Sequence, residues 1–256
     1  KKEHLMSEKG FEVVEQATVD ITINDYPVKD PINLKGKSLG LSHIAGLIPK
    51  EILDSITEVQ NKIFPSTTLR SHTYMLVMYC VMRELFPRSH SLCIIDITGE
   101  ATEFGLVENN LLIENSFVPY GSNTFIRDMM EKTNKPESDI STSIHSFGGT
   151  TDLVPVTFTD EASVFESHIV ASLTNILQRR SIPPDVIITV HRPYEQFFKH
   201  IIETAFTKAV GKKPNIITLE PAIVDEISHG AGDDVYLALG ARFFHKLHGC
   251  GELNDA

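Results

Sequence analysis

Four places in the sequence gather side chains that could bind or react. The apolar run Leu92 to Ile95 ends in Asp96, and a short turn of hydroxyls and glycine follows, Thr98-Gly99-Glu100-Ala101-Thr102. A carboxylate and hydroxyls at the end of an apolar strand form a polar turn that could face a ligand. A second polar turn, Gly121-Ser122-Asn123, leads into a helical pattern and offers Ser122 or Asn123 as N-cap. His191 and Arg192 follow another apolar run and could meet an anion, or be an ordinary polar pair where a helix starts. His245, His248 and Cys250 could hold a transition metal if a fourth ligand approached, or be histidines that a helix C-terminus favours through its dipole.

Other candidates read more plainly. Gly148-Gly149 could cradle phosphate, but no GxGxxG or GK[ST] context surrounds it and a simple turn fits as well. Cys93 within a strand pattern is expected to be buried and inert. No Ser-His-Asp or Cys-His arrangement can be inferred from residue order.

These groups need elements to hold them. Phe11 to Ile23 alternates as a half-buried strand, with Phe11, Val13, Val19, Ile21 and Ile23 on one side. Asn24 to Pro27 reads as a turn, Pro31 to Lys37 as a loop, and Leu39 to Ala45 as a second strand. Pro49 opens an amphipathic helix with Ile52, Leu53, Ile56, Val59 and Ile63 on one face. Thr73 to Phe86 is a strongly apolar helix, with Met75, Met78 and Met82 as core packing, stopped by Pro87.

A three-stranded meander then runs from Leu92, reversing at Gly99 and at Asn109-Asn110, where positive φ is cheap. The stretch Glu131 to Ser143 is polar, broken at Lys135-Pro136. Ala162 to Arg180 forms a helix, Val186 to Val190 a strand buried on both faces, and Tyr194 to Val210 a helix closed by Gly211. Ile216 to Leu219, a linker over 221–226 and a last helix from Asp233 to Leu247 complete a mixed α/β chain. Residues 1–10 read as the end of a polar helix closed by Gly10.

At 256 residues the chain has room for one or two domains. A formal charge of -11 argues against phosphate-backbone affinity, so no nucleic acid is expected. Three cysteines without CxxC spacing point to a reducing compartment, the cytoplasm. No stretch is apolar enough to span a membrane. The chain begins at Lys1 without a signal pattern, so the native start is expected upstream.

Three segments carry a resemblance to the bacterial actin-like ATPases of the FtsA and PilM type. Ile23 to Ile44 resembles the strand, D-P turn, loop glycine and strand of that family's extra subdomain. Asp96 to Met129 resembles its second phosphate loop, DIGGGTTD, with the hairpin and helix that follow. DVYLALGARFF, Asp234 to Phe244, is similar to its closing helix. The resemblance implies an actin-like (ribonuclease H-like) core over 65–248, a small α+β subdomain over 11–64 and a polar tail over 249–256.

It also implies a site. Asp96, Thr98, Gly99, Glu100 and Thr102 would stand at the phosphates of ATP, with Asp96 near Mg through bound water. Gly121, Ser122, Thr189, His191 and Arg192 would stand near the nucleotide. This chain departs from the pattern where it matters. Thr98 and Glu100 replace glycines, and Ala101 removes a hydroxyl. A Glu100 carboxylate about 4 Å from triphosphate is unfavourable by roughly 1 to 4 kcal/mol unless it turns outward or meets a cation. Val190-His191-Arg192 stands where the family has Gly-Gly, and the family's first phosphate loop is absent from these residues.

The expectation is a scaffold with a degenerate nucleotide site, inactive as this fragment. It would work at the inner face of the membrane by holding a membrane protein's cytoplasmic tail or by self-association into polymer, in cell division or pilus assembly. An active Mg-ATPase completed by residues upstream, and a small-molecule kinase of the same superfold, are the alternatives.

Overall fold

The computed structural model describes residues 10–28, 30–147, 155–217, 219 and 234–249, with the side chains of Val156 and 246–249 excepted. The chain divides into two compact units, one taking the described residues up to Val77 and again from Phe243, the other Met78–Arg242.

The first unit is built on an antiparallel sheet ordered β2-β1-β3, from β1 (Phe11–Ile23), β2 (Tyr26–Pro27) and β3 (Leu39–Pro49). Tyr26 and Pro27, expected within a turn, pair with Ile23 and Thr22, and the turn is confined to Asn24 and Asp25 at φ 52° and 67°. Two irregularities interrupt β1 opposite β3, at Val14 and Val19, each adding one residue. Phe11, Val13, Ile21 and Ile23 still share a face, because two single-residue additions restore the parity of the alternation. Val19, expected with them, is itself the extra residue of the second irregularity.

The first irregularity seats a carboxylate. Glu15 lies opposite Gly46, where a Cβ would come within 2.5 Å of Glu15 Oε1. Glu15 is buried and accepts hydrogen bonds from Thr73 N at 3.0 Å and Thr73 Oγ1, and its Oε2 is 2.9 Å from His72 Nδ1. The strand is thereby tied to the start of α2 (Tyr74–Leu85). The intervening helix α1 (Lys50–Ile63) has no buried residue, so its apolar face, Ile52, Ile56, Val59 and Ile63, is exposed. The terminal element α7 (Val235–Gly249) enters this unit at Phe243 and Phe244, whose rings lie 4.9 and 5.5 Å from that of His72.

In the second unit five strands are ordered β6-β5-β4-β7-β8: β4 (Leu92–Ile97), β5 (Thr102–Glu108), β6 (Leu111–Val118), β7 (Asp185–Val190) and β8 (Asn215–Ile217). The first three form the antiparallel meander, and Asn109 and Asn110 turn its second reversal at φ 52° and 64°. β4, β7 and β8 are parallel, with α6 (Glu195–Val210) as the crossover between the last two. Gly211 closes α6 in the left-handed region at φ 77°.

α3 (Ser122–Thr133), α5 (Thr159–Leu177) and α6 supply the core. Phe125, Phe165, Phe197 and Phe198 are buried among one another at centroid distances of 5.3 to 5.7 Å, mostly edge to face. The polar stretch before residue 143 contains a helix that its composition hid, α4 (Glu137–His145). Pro136 stands at its N-cap, and Ile140 and Ile144, one turn apart, are its buried face. The readings of residues 1–9, Gly148-Gly149, 221–226, Asp233 and Cys250 lie outside the described residues.

Removing the Glu15 carboxylate leaves the half-buried His72 and Thr73 groups without their acceptor. Glu15→Ala is expected to lower unfolding free energy by about 3 kcal/mol, measured by urea denaturation against the unaltered chain, with the slope unchanged.

Candidate functional site at the ends of β4 and β7

Parallel strands present their carboxyl ends to ligands in open α/β sheets, and β4 and β7 end side by side here. Asp96 on β4 is in register with Thr189 on β7, and Ile97 with Val190, which brings Thr98 and His191 to the same end of the sheet. On its other side Asp96 is paired with Glu103 of β5.

Asp96 is 2 % exposed. Thr189 Oγ1 donates to its Oδ1 at 2.5 Å, and the Tyr236 hydroxyl donates to the same oxygen at 3.3 Å. Burial pushes the Asp96 carboxyl from its ordinary 3.8 up to about 6; the hydroxyl of Thr189 opposes this, and the Glu103 charge adds to it. Burial also raises Glu103, and burial beside Asp96 holds the Tyr236 phenol well above its ordinary value. Tyr236 stands in the first turn of α7, where Asp234 Oδ1 accepts the amides of Tyr236 and Leu237. No pattern in the sequence pairs Tyr236 with Asp96. Its only signal was a tyrosine just inside a helix that begins with aspartate.

The turn after Asp96 is closed on itself. Thr98 N donates to Ala101 O at 2.9 Å, but the return bond is not to the Thr98 carbonyl: Ala101 N donates to Thr98 Oγ1 at 3.1 Å, and that hydroxyl donates to Ala101 O at 2.8 Å. The freed Thr98 carbonyl accepts Ser122 N at 2.9 Å and Ser122 Oγ at 3.2 Å, and Gly99 O accepts Asn123 N at 2.8 Å. The first amides of α3, otherwise unpaired at a helix start, are thus held by the turn.

The expected cap is therefore corrected. Gly121 is the N-cap, and no side chain caps the helix, because backbone carbonyls of the turn do so. A Cβ on Gly121 would meet Thr98 O at 2.4 Å and Ala101 N at 2.7 Å. Gly99 stands in the reversal without a positive φ; its Cβ position lies 2.5 Å from Asn123 Nδ2, so close packing and not turn geometry calls for glycine.

Thr102 is fully buried, and its hydroxyl donates to Tyr120 O at 2.9 Å. Of the protein donors at this turn, Gly99 N and Glu100 N alone have no acceptor among the described residues. Glu100 does both things that could relieve its charge. It is exposed, and its two oxygens take Arg127 Nη1 at 2.8 Å and Nη2 at 2.6 Å in a bidentate pair, which holds the carboxyl below its ordinary range.

His191 is exposed, and its ring packs edge-on to Tyr194 at 5.3 Å. Arg192 begins a short 3₁₀ turn that leads into α6. On α7, His245 is exposed, while the His248 side chain and Cys250 are outside the described residues. No group of three His, Cys, Asp or Glu side chains is gathered for a metal among the described residues.

A raised folded-state pKa means that Asp96 favours folding when protonated, below about pH 4, and that this contribution is lost as pH rises through about 6. Asp96→Asn keeps an acceptor for Thr189 and removes the charge. It is expected to raise stability at pH 7 by about 1 to 3 kcal/mol and to flatten the fall between pH 4 and 7, read from urea melts across that range.

No protein-family model matches the sequence, and no curated protein sequence matches it. Solved structures do. The PilM chain of a PilM-PilN type IV pilus biogenesis complex aligns with a TM-score of 0.63 at 11% identity, over 92% of this chain and 67% of that one. The ethanolamine utilization protein EutJ of Carboxydothermus hydrogenoformans aligns at 0.45 and 15% identity, over 65% of this chain and 54% of that one. Component A of (R)-2-hydroxyglutaryl-CoA dehydratase from Acidaminococcus fermentans gives 0.41 and 15%, over 77% and 72%. The chain has the actin-like ATPase fold, in an arrangement that resembles PilM.

Proposed function

We propose that this chain is a protein-binding scaffold on the actin-like fold, in which the turn after β4 serves architecture and no longer nucleotide chemistry. The observation that supports this most directly is the commitment of both turn hydroxyls. Phosphate needs donors, and Thr98 and Thr102 each give their proton to a backbone carbonyl. The close seat of Gly121 beneath Thr98 O and Ala101 N adds to it, as does the Glu100 carboxylate at the mouth of the turn. With both hydroxyls committed, the turn offers a triphosphate only the Gly99 and Glu100 amides, beside the Glu100 carboxylate, and no reaction step is assigned to it.

The partner in this reading is a short apolar segment of another protein, the cytoplasmic tail of a membrane protein, so that the chain sits at the inner face of the membrane in pilus assembly or cell division. Two observations favour it. PilM, the structure it resembles, was solved as a complex with PilN. The first unit also bears an open groove of about 610 Å³ lined by Ile56, Val59, Phe64, Leu69 and Phe244. No helix among the described residues is long and apolar enough to cross a membrane.

A second reading, Mg-ATP binding, is favoured by Asp96. A buried carboxylate with a raised pKa at the carboxyl ends of parallel strands costs stability and marks functional sites in general. In that reading Asp96 holds Mg through water, and the amides of Gly99 and Glu100 face the phosphates, with Thr102 only supporting the turn from beneath. One measurement separates the two. A site with a dissociation constant near 10 µM adds about 2.7 kcal/mol at 1 mM nucleotide, or about 5 to 10 °C in Tm for a chain of this size. The scaffold reading expects no shift with 1 mM Mg-ATP or Mg-ADP. A shift of 5 °C that Asp96→Ala abolishes would replace it with the second reading.

A further inference from the structure

The sheet of the first unit ends in an open edge. Among the described residues β3 is hydrogen-bonded to β1 on one side alone, and no described strand pairs the outward N–H and C=O groups of its eleven residues. Soluble proteins blunt such edges with lysine, inward charges, proline or short length. β3, LGLSHIAGLIP, carries no Lys, Arg, Asp or Glu, and its proline is the last residue.

The exposed face beside this edge is apolar as well. Leu39, Leu41 and Leu47 point to solvent, at 61, 62 and 36 % exposure, next to Ile23, Ile21 and Val13 across β1. His43 and Thr18 form the polar centre of that face, 3.4 Å apart.

The order of residues in β3 says what would cover the edge. Read outward from His43, the strand repeats glycine at the third position and leucine at the fourth on each side, Gly40 and Gly46, Leu39 and Leu47, while the nearer pairs, Ser42 with Ile44 and Leu41 with Ala45, differ but carry no charge. Such a strand is complementary to itself when antiparallel.

We propose that a second copy of this chain pairs with β3 edge to edge, antiparallel about a two-fold axis through His43, joining two three-stranded sheets into one of six. Directly opposite residues share a face in such a ladder. Leu39 then meets the partner's Leu47, Leu41 meets the partner's Ala45, and the glycines meet across the axis, so the apolar face runs on through the junction. The contact is isologous and closes at two copies. Although each chain carries a formal charge of -11, the paired strands oppose no charges. Edge pairing buries less than a stable interface of about 800 Å² per partner, so the dimer forms in the micromolar range. The proposal does not depend on the state of the nucleotide site or on the tail-binding reading.

The test is sedimentation equilibrium of the whole chain from about 1 to 200 µM. The expected result is an average mass rising from 28.5 kDa towards twice that value. His43→Lys sets two like charges against each other on the axis and is expected to weaken association at least tenfold, with the circular dichroism and Tm of the monomer unchanged. His43→Cys places two thiols at an opposed pair, where Cα atoms are about 4.5 to 5.5 Å apart and within disulfide reach. Oxidation is expected to give a covalent dimer that the unaltered chain and Lys37→Cys do not give. A monomer at every concentration with no His43→Cys cross-link, or a dimer indifferent to His43→Lys, overturns the proposal.

Discussion

The start of α3 depends on two carbonyls. Thr98 and Gly99 accept the first amides of the helix, so the turn after β4, the helix start and the entry to the phenylalanine core are one mechanical piece. For the Thr98 carbonyl to be available, something else must receive the amide of Ala101, and the Thr98 hydroxyl does. A glycine at 98 could offer no such oxygen. The residue that departs from the phosphate-loop pattern is therefore the one that lets the turn clamp the helix.

Asp96 behaves differently. Its burial, its pairing opposite Glu103 and its raised pKa all cost stability, and the hydroxyls of Thr189 and Tyr236 offset only part of that. The hydroxyls of the turn beside it are satisfied, whereas the carboxylate is held in an unfavourable place. The sheet end thus has a settled half on β5 and α3 and a tense half on β4 and β7. This is why the two functional readings rest on neighbouring residues and point in opposite directions.

Much of the architecture was legible because it follows from local rules. Asn109-Asn110 and Gly211 took the positive φ that their chemistry suits, and the apolar runs from Leu92 and Val186 became strands buried on both faces. What was missed depends on distance along the chain. Tyr236 reaches Asp96 across 140 residues, Arg127 reaches Glu100 across 27, and His72 reaches Glu15 across 57. No periodicity encodes those meetings. α4 was hidden for another reason: Ile140 and Ile144 are its only buried apolar pair, too few to stand out among serines and threonines. The turn after β4 was legible from the apolar run that ends in Asp96, but side-chain identity alone could not tell that its hydroxyls would face inward to the backbone.

The paired irregularities of β1 bear on how this chain can change length. Each adds one residue, and only together do they keep Phe11 and Val13 on the same face as Ile21 and Ile23. Loss of one residue from the strand would turn half of it over, sending Glu15 to solvent or the isoleucines against Gly40 and Ser42. Loss of two, one at each irregularity, would leave both faces intact. Insertions and deletions in this strand are therefore tolerated by parity, in even numbers and not singly.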